Sequence, residues 1–132
     1  MKTHLTSTKN SDELSSLLIR VAIRALHIMN ADVCGVWLVD ENKKLVPHFY
    51  HGIKSEFAEL LFSEENGAML EAVLDLDTPI AVTDLYKTCK KDEVKIHVES
   101  EGLKSLLACP ISLNGKKAGI LAVGTKSKNR HF

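Results

Sequence analysis

The stretch Ser105 to Thr125, SLLACPISLNGKKAGILAVGT, decides the fold. Two apolar runs flank Asn114-Gly115, a dipeptide suited to a two-residue primed hairpin turn because both residues tolerate positive φ. Leu106, Leu107, Ala108, Ile111 and Leu113 precede the turn, and Ala118, Ile120, Leu121, Ala122 and Val123 follow it. Successive strand residues point to opposite faces, so strands apolar at both parities are covered on both sides. The stretch therefore predicts the central hairpin of an antiparallel sheet held between two layers, one of which can enclose a pocket.

Working outward, the N-terminal half supplies one of those layers. Residues 1–9 lack periodicity and are expected to form a flexible tail, leaving 10–132 as a single domain. Asn10 reads as an N-cap with Glu13 three residues on, and Leu14, Leu17, Leu18, Val21, Ala22, Ala25, Leu26 and Met29 follow at helical spacing. That stripe is expected to face a core. Ile19 and Ile23 are also apolar and widen the arc to about 240°, more than one sheet contact requires. Either another part of the chain or a partner subunit covers the excess; the reading adopted is a homodimer through this helix, with Ile19, Ile23 and Leu26 at the interface.

Val33 to Val39 is a short continuous apolar run rich in β-formers, and Leu45 to Tyr50 returns after the polar turn Asp40 to Lys44, so the two predict a hairpin. Phe57, Leu60 and Leu61, then Met69, Leu70, Val73 and Leu74, predict two short helices broken near Asn66-Gly67. Ile80 to Val82 is a short strand, and Leu85 to Gly102 is expected to be a loop carrying a short helix near 91–101. Lys126 to Phe132 is polar and is expected to run off the end. The fold class is α+β, with five to six antiparallel strands between a helical layer and a face of short helices and loops.

Composition narrows the function. Seventeen Lys and Arg balance seventeen Asp and Glu, so the basic excess that nucleic acid or an anionic membrane requires is missing. Aromatic residues make up 5% of the chain, too few for base-stacking platforms. No run approaches the roughly 18 apolar residues of a membrane span. Cys34, Cys89 and Cys109 are odd in number and far apart, which predicts reduced thiols in the cytoplasm and no metal site.

In order along the chain stand Val36-Trp37-Leu38-Val39-Asp40, Gly52, Gly67, Thr78-Pro79 and Val82-Thr83-Asp84. After them come Gly102-Leu103-Lys104-Ser105-Leu106-Leu107-Ala108-Cys109-Pro110-Ile111 and Ala118-Gly119-Ile120-Leu121. Together these resemble the GAF domain, a PAS-related sensor module of histidine kinases, phosphodiesterases, transcription activators and phytochromes. The resemblance implies a small-molecule ligand between the sheet and the middle segment, dimerisation through flanking helices, and an output domain elsewhere in the full-length protein. It also implies a closing C-terminal helix, which would begin where this chain stops at Phe132. Candidate ligand-binding residues under this resemblance are Trp37, Phe49, His51, Met69, Val82, Asp84, Tyr86, Ser105, Leu107 and Cys109; Asp84 also stands where an aspartate caps the following turn.

The specialised chemistries of such domains are weakly represented. The Asn-Lys-Phe-Asp-Glu signature of cyclic-nucleotide binders is absent, and Cys89 lacks the Asp-Ile-Pro motif that accompanies bilin attachment. His51 and His97 are the candidate haem ligands, and each sits in a polar setting. Free methionine-R-sulfoxide reductases of this scaffold need a reactive thiolate and a resolving thiol nearby, whereas only Cys89 lies in the middle segment, beside Lys87, Lys90 and Lys91. The expectation is therefore a non-catalytic sensor with no bilin, haem or metal and with its ligand unassigned. The alternatives are an interaction module without ligand and the reductase.

Overall fold

The computed structural model describes residues 2–63, 78–127 and 129–132. Helix α1 spans Lys2–Ile28 and is followed by strands β1 (Val33–Val39) and β2 (Leu45–His51) and helix α2 (Ser55–Leu61). Next come β3 (Ile80–Val82), α3 (Leu85–Thr88), α4 (Asp92–Glu101), β4 (Ser105–Leu113) and β5 (Lys116–Thr125). The five strands form one antiparallel sheet in the order β2-β1-β5-β4-β3. The second short helix, with Met69 and the break at Asn66-Gly67, falls outside the described residues.

The opening hairpin is as expected. Asn114 and Gly115 take φ of 53° and 78°, joining β4 to β5 through a two-residue turn. Alternation then sends the two parities to different layers. Ile120 and Ala122 join Trp37, Phe57, Phe62, Leu85, Val94 and Val98 beneath α2 to α4, while Leu121 and Val123 join Leu18, Ala22, Cys34 and Val36 beneath α1. A Cβ on Gly119 would collide with the carbonyl oxygen of Trp37, so the close approach of β5 to β1 admits only glycine there.

Helix α1 departs from expectation at its start. It begins at Lys2 rather than after Asn10, so residues 2–9 are helical. These residues contain neither Gly nor Pro, and extending an existing helix avoids the nucleation cost. Its end is sharply defined. Asn30 adopts a left-handed φ of 51°, its N–H reaches the His27 carbonyl at 3.1 Å, and the Ala31 N–H reaches Leu26 at 2.9 Å, the two bonds of a Schellman cap. Leu17 and Val21, expected in the core-facing stripe, are 48% and 44% exposed, and Ile28 is 76% exposed. The packed face consists of Leu14, Leu18, Ala22, Ala25, Leu26 and Met29.

The C-terminal residues do not run off the end. The Lys126 N–H donates to Asp32 Oδ2 at 2.7 Å, the Arg130 N–H donates to Ser105 Oγ at 3.2 Å, and Phe132 packs in the cluster beneath α1. Polar groups spaced far apart in sequence thus fold the segment back across the sheet end.

One side chain ties the helical face to the sheet. The Trp37 indole is 1% exposed, meets Phe62 edge-on at 4.8 Å, and donates from Nε1 to the Ala58 carbonyl at 2.7 Å. That carbonyl lies in the last four residues of α2, where the helix itself provides no N–H donor. Trp37→Phe keeps the apolar bulk but removes the donor. We expect a loss of about 1–3 kcal/mol in urea denaturation followed by far-ultraviolet circular dichroism.

Candidate functional site

The residues expected to wall one pocket divide between the two faces. Trp37 and Val82 belong to the cluster beneath α2 to α4. Phe49 and Leu107 pack instead in the cluster beneath α1, and Cys109 stands opposite Leu121 on that same face. His51 pairs with Cys34 at the exposed end of β2. The physical reason is strand parity. On β4 the residues that face α2 to α4 are Leu106 and Ala108, and on β2 they are Leu45 and Tyr50. A bulge opposite Val36 and Trp37 adds one residue to β2, so parity counted along its sequence alone fails. Tyr50 lies opposite Gly35, beyond the bulge, and so shares the Trp37 face of β1.

Ser105 is fully buried, hydrogen-bonded to Thr125 Oγ1, and accepts the Arg130 N–H. This serine of the Gly-x-x-Ser motif therefore anchors the C-terminal segment. Met69 lies outside the described residues.

Asp84 and Tyr86 do come together, at an open cleft of about 360 Å³ on the periphery of the helical face. Val98 and Leu103, each 1% exposed, form its floor, and Asp84, Tyr86, Glu99, Lys104 and Asn129 stand around it. Local structure places each group. Helix α3 is held to the start of β4 by the Leu85 N–H on the Lys104 carbonyl at 2.9 Å, which sets Asp84 and Tyr86 beside Lys104. Helix α4 ends at Gly102, whose left-handed φ of 73° turns the chain so that Leu103 packs inward beneath Glu99. Asn129 arrives from the folded-back C-terminus.

Asp84 caps α3, accepting the Lys87 N–H at 3.3 Å, as its position predicts. Its 3.9 Å approach to the Lys87 ammonium is solvent-exposed and contributes little. The Lys95 ammonium sits 5.4 Å from the centre of the Tyr86 ring. The cleft thus offers two carboxylates, one ammonium, one amide and a phenol around an apolar floor, a set that can hold a small polar molecule by hydrogen bonds and charge.

One thiol is differently disposed from expectation. Cys89, placed by its neighbours in a basic surface stretch, is 2% exposed within the core beneath α2 to α4. Burial raises the pKa of Cys34 and of Cys109 above the ordinary thiol value. His97 stacks on Phe57 with ring centres 6.4 Å apart. Among the described residues no group of His, Cys, Asp and Glu could hold a metal ion, and no helix is long and apolar enough to cross a membrane.

The family profile of the GAF domain matches residues 8–132. The chain belongs to the GAF domain family. Its fold is similar to the GAF domain of a phosphoenolpyruvate-protein phosphotransferase from Coxiella burnetii, with a TM-score of 0.67 and 23% identity over 90% of this chain and 70% of that one. It is also similar to a domain assigned to a two-component sensor histidine kinase protein of Sinorhizobium meliloti 1021, with a TM-score of 0.69 and 16% identity over 92% and 76%. The blue-light absorbing form of the Thermosynechococcus elongatus PixJ GAF domain is similar at a TM-score of 0.70 and 14% identity over 92% and 74%. No curated protein matches the chain. Domains of this fold thus occur in a two-component sensor histidine kinase protein and in a phosphoenolpyruvate-protein phosphotransferase.

The thiol environments predict ordered reactivity. In the native chain at neutral pH, a thiol reagent should label Cys109 slowly and leave Cys34 and Cys89 unmodified, with all three reacting in denaturant, as mass spectrometry would show. Cys109 labelling should accelerate as pH rises through its elevated pKa. The linkage has the matching sign: unfolded thiols ionise before folded ones, so stability is fully present below the ordinary thiol value of 9.0 and declines above it.

Proposed function

We propose that the chain is the non-catalytic sensor of a cytoplasmic signalling protein, binding a small polar molecule in the peripheral cleft and acting through self-association of α1 on an output domain. The observation that carries this reading is the surface of α1. A helix of 27 residues covers one face of the sheet yet leaves Leu17, Val21 and Ile28 to solvent. Their spacing of four and seven aligns them along one side of the helix. Ile19 and Ile23 follow a separate line, half-buried and 40% exposed respectively, while Leu26, expected at the interface, packs against its own sheet.

A second copy presenting the same stripe is the proposed partner. Fully burying a large aliphatic side chain contributes about 1.5–3 kcal/mol. These side chains are already partly covered, so six of them across a pair contribute roughly half the full value, near the lower end of the about 4–15 kcal/mol that association costs. The reading is accordingly of a weak, concentration-dependent dimer that a modest conformational change could shift.

An interaction module without ligand is the second reading, favoured by the filling of the described helical face with Trp37, Phe57, Phe62 and Leu85, each 1% exposed or less. The reductase alternative is disfavoured by the burial of Cys89, because its chemistry needs an accessible thiolate.

Two measurements test these readings. Light scattering of the wild-type chain should give a mass that rises toward the dimer with concentration, and Val21→Glu with Ile28→Glu should hold it at the monomer with melting little changed; a monomer at every concentration, or a dimer unaffected by both substitutions, overturns the α1 interface. In thermal scans against a panel of small polar metabolites, one compound at about 100 times its dissociation constant should stabilise the chain by about 2.7 kcal/mol, several degrees at this size. The shift should vanish in Glu99→Trp, which fills the cleft. No shift with any compound favours the ligand-free module.

A further inference from the structure

The segment Asn129–Phe132 touches both functional surfaces at once. On one side Asn129 lines the cleft, and His131 Nδ1 lies 3.3 Å from Thr83 Oγ1, next to Asp84. On the other side the Arg130 guanidinium donates to the Met29 carbonyl and, at 3.4 Å, to the Asn30 carbonyl. These carbonyls end α1, and a cation beside them also complements the negative end of the helix dipole. Between the two sides, the Arg130 backbone is fixed by its N–H on the buried Ser105 hydroxyl, and Phe132 lies in the cluster beneath α1 with the guanidinium 5.0 Å from its ring centre. A residue 101 positions along the chain therefore holds the last turn of the helix that carries the exposed stripe, and Ile28 is the residue immediately before the held carbonyls.

We infer that this segment is a strap that couples the cleft to the end of α1: an occupant of the cleft displaces Asn129, withdraws Arg130 from the Met29 and Asn30 carbonyls, and loosens the turn beside Ile28. Asn129 and Arg130 are adjacent, so one cannot move far without the other. The other restraints on this turn are its closing backbone bonds and the half-buried Met29 side chain, while Asn30 is exposed. The occupant belongs to the proposed sensing function, but the mechanical link is a property of the chain alone and can be read without a ligand.

Amide hydrogen exchange at Met29, Asn30 and Ala31 reads the link, because their N–H groups make the closing bonds of α1 to Ala25, His27 and Leu26. Arg130→Met should raise exchange at these three amides about tenfold, the effect of losing a charged hydrogen bond, while β1 and β5 stay protected. Arg130→Lys, which keeps the charge but not the fork, should give a smaller rise. Glu99→Trp places an indole in the cleft as a stand-in occupant and should raise exchange at the same amides. Combined with Arg130→Met it should add nothing, because both act through one contact. The strap is overturned if Arg130→Met leaves the three amides unchanged, if Glu99→Trp does not reach them, or if the two effects multiply. Should Arg130→Met unfold the chain, seen as loss of protection in β1, the pair Arg130→Lys and Glu99→Trp decides by the same criteria. Coupling with no stabilising metabolite would sink the ligand and keep the strap; a stabilising metabolite with no coupling would do the reverse.

Discussion

Everything in this domain depends on β1 and β5 being buried on both faces. Their backbones approach so closely at Gly119 and Trp37 that a side chain there has no room. The outward-pointing residues at both parities are apolar, so each face demands a cover. One cover is a single long helix and the other is a set of short helices with connecting loops. That asymmetry sets the surface features of the two sides: the long helix leaves an aliphatic line exposed, and the joints between the short helices leave a cleft.

The polar interactions hold the borders between these layers. The Trp37 indole satisfies an end carbonyl of α2, joining sheet to helix. Glu101 accepts the Lys54 N–H at 2.5 Å and lies 3.7 Å from the Lys126 ammonium, so one carboxylate joins the end of α4, the start of α2 and the exit from β5. Such groups are costly to leave unpaired, and they fix the relative position of elements whose apolar contacts alone would tolerate sliding.

How far the sequence discloses all this varies with the range of the cause. The β4–β5 hairpin was legible because Asn114-Gly115 and the apolar runs act locally, and Gly102 marks the end of α4 for the same reason. The start of α1 was not, because Asn10 and Glu13 imitate a cap while nothing in residues 2–9 forbids continuation. The candidate wall is only partly legible: Asp84 and Tyr86 meet at the cleft, whereas parity turns Phe49, Leu107 and Cys109 to the α1 face, and the bulge in β2 is invisible in its own sequence. Asn129 and Arg130 were missed altogether, since a polar segment whose partners lie up to 101 positions away leaves no periodic trace.

The two outer strands carry a consequence for how copies can meet. β2 has Pro47, which offers no backbone donor, and a bulge that interrupts its ladder; β3 is only three residues long. Neither margin presents a straight row of unpaired N–H and C=O groups to another chain. Continuous sheets through successive molecules are therefore discouraged at both ends, and contact between copies is left to helix surfaces, where pairs can close on themselves without propagating into fibres.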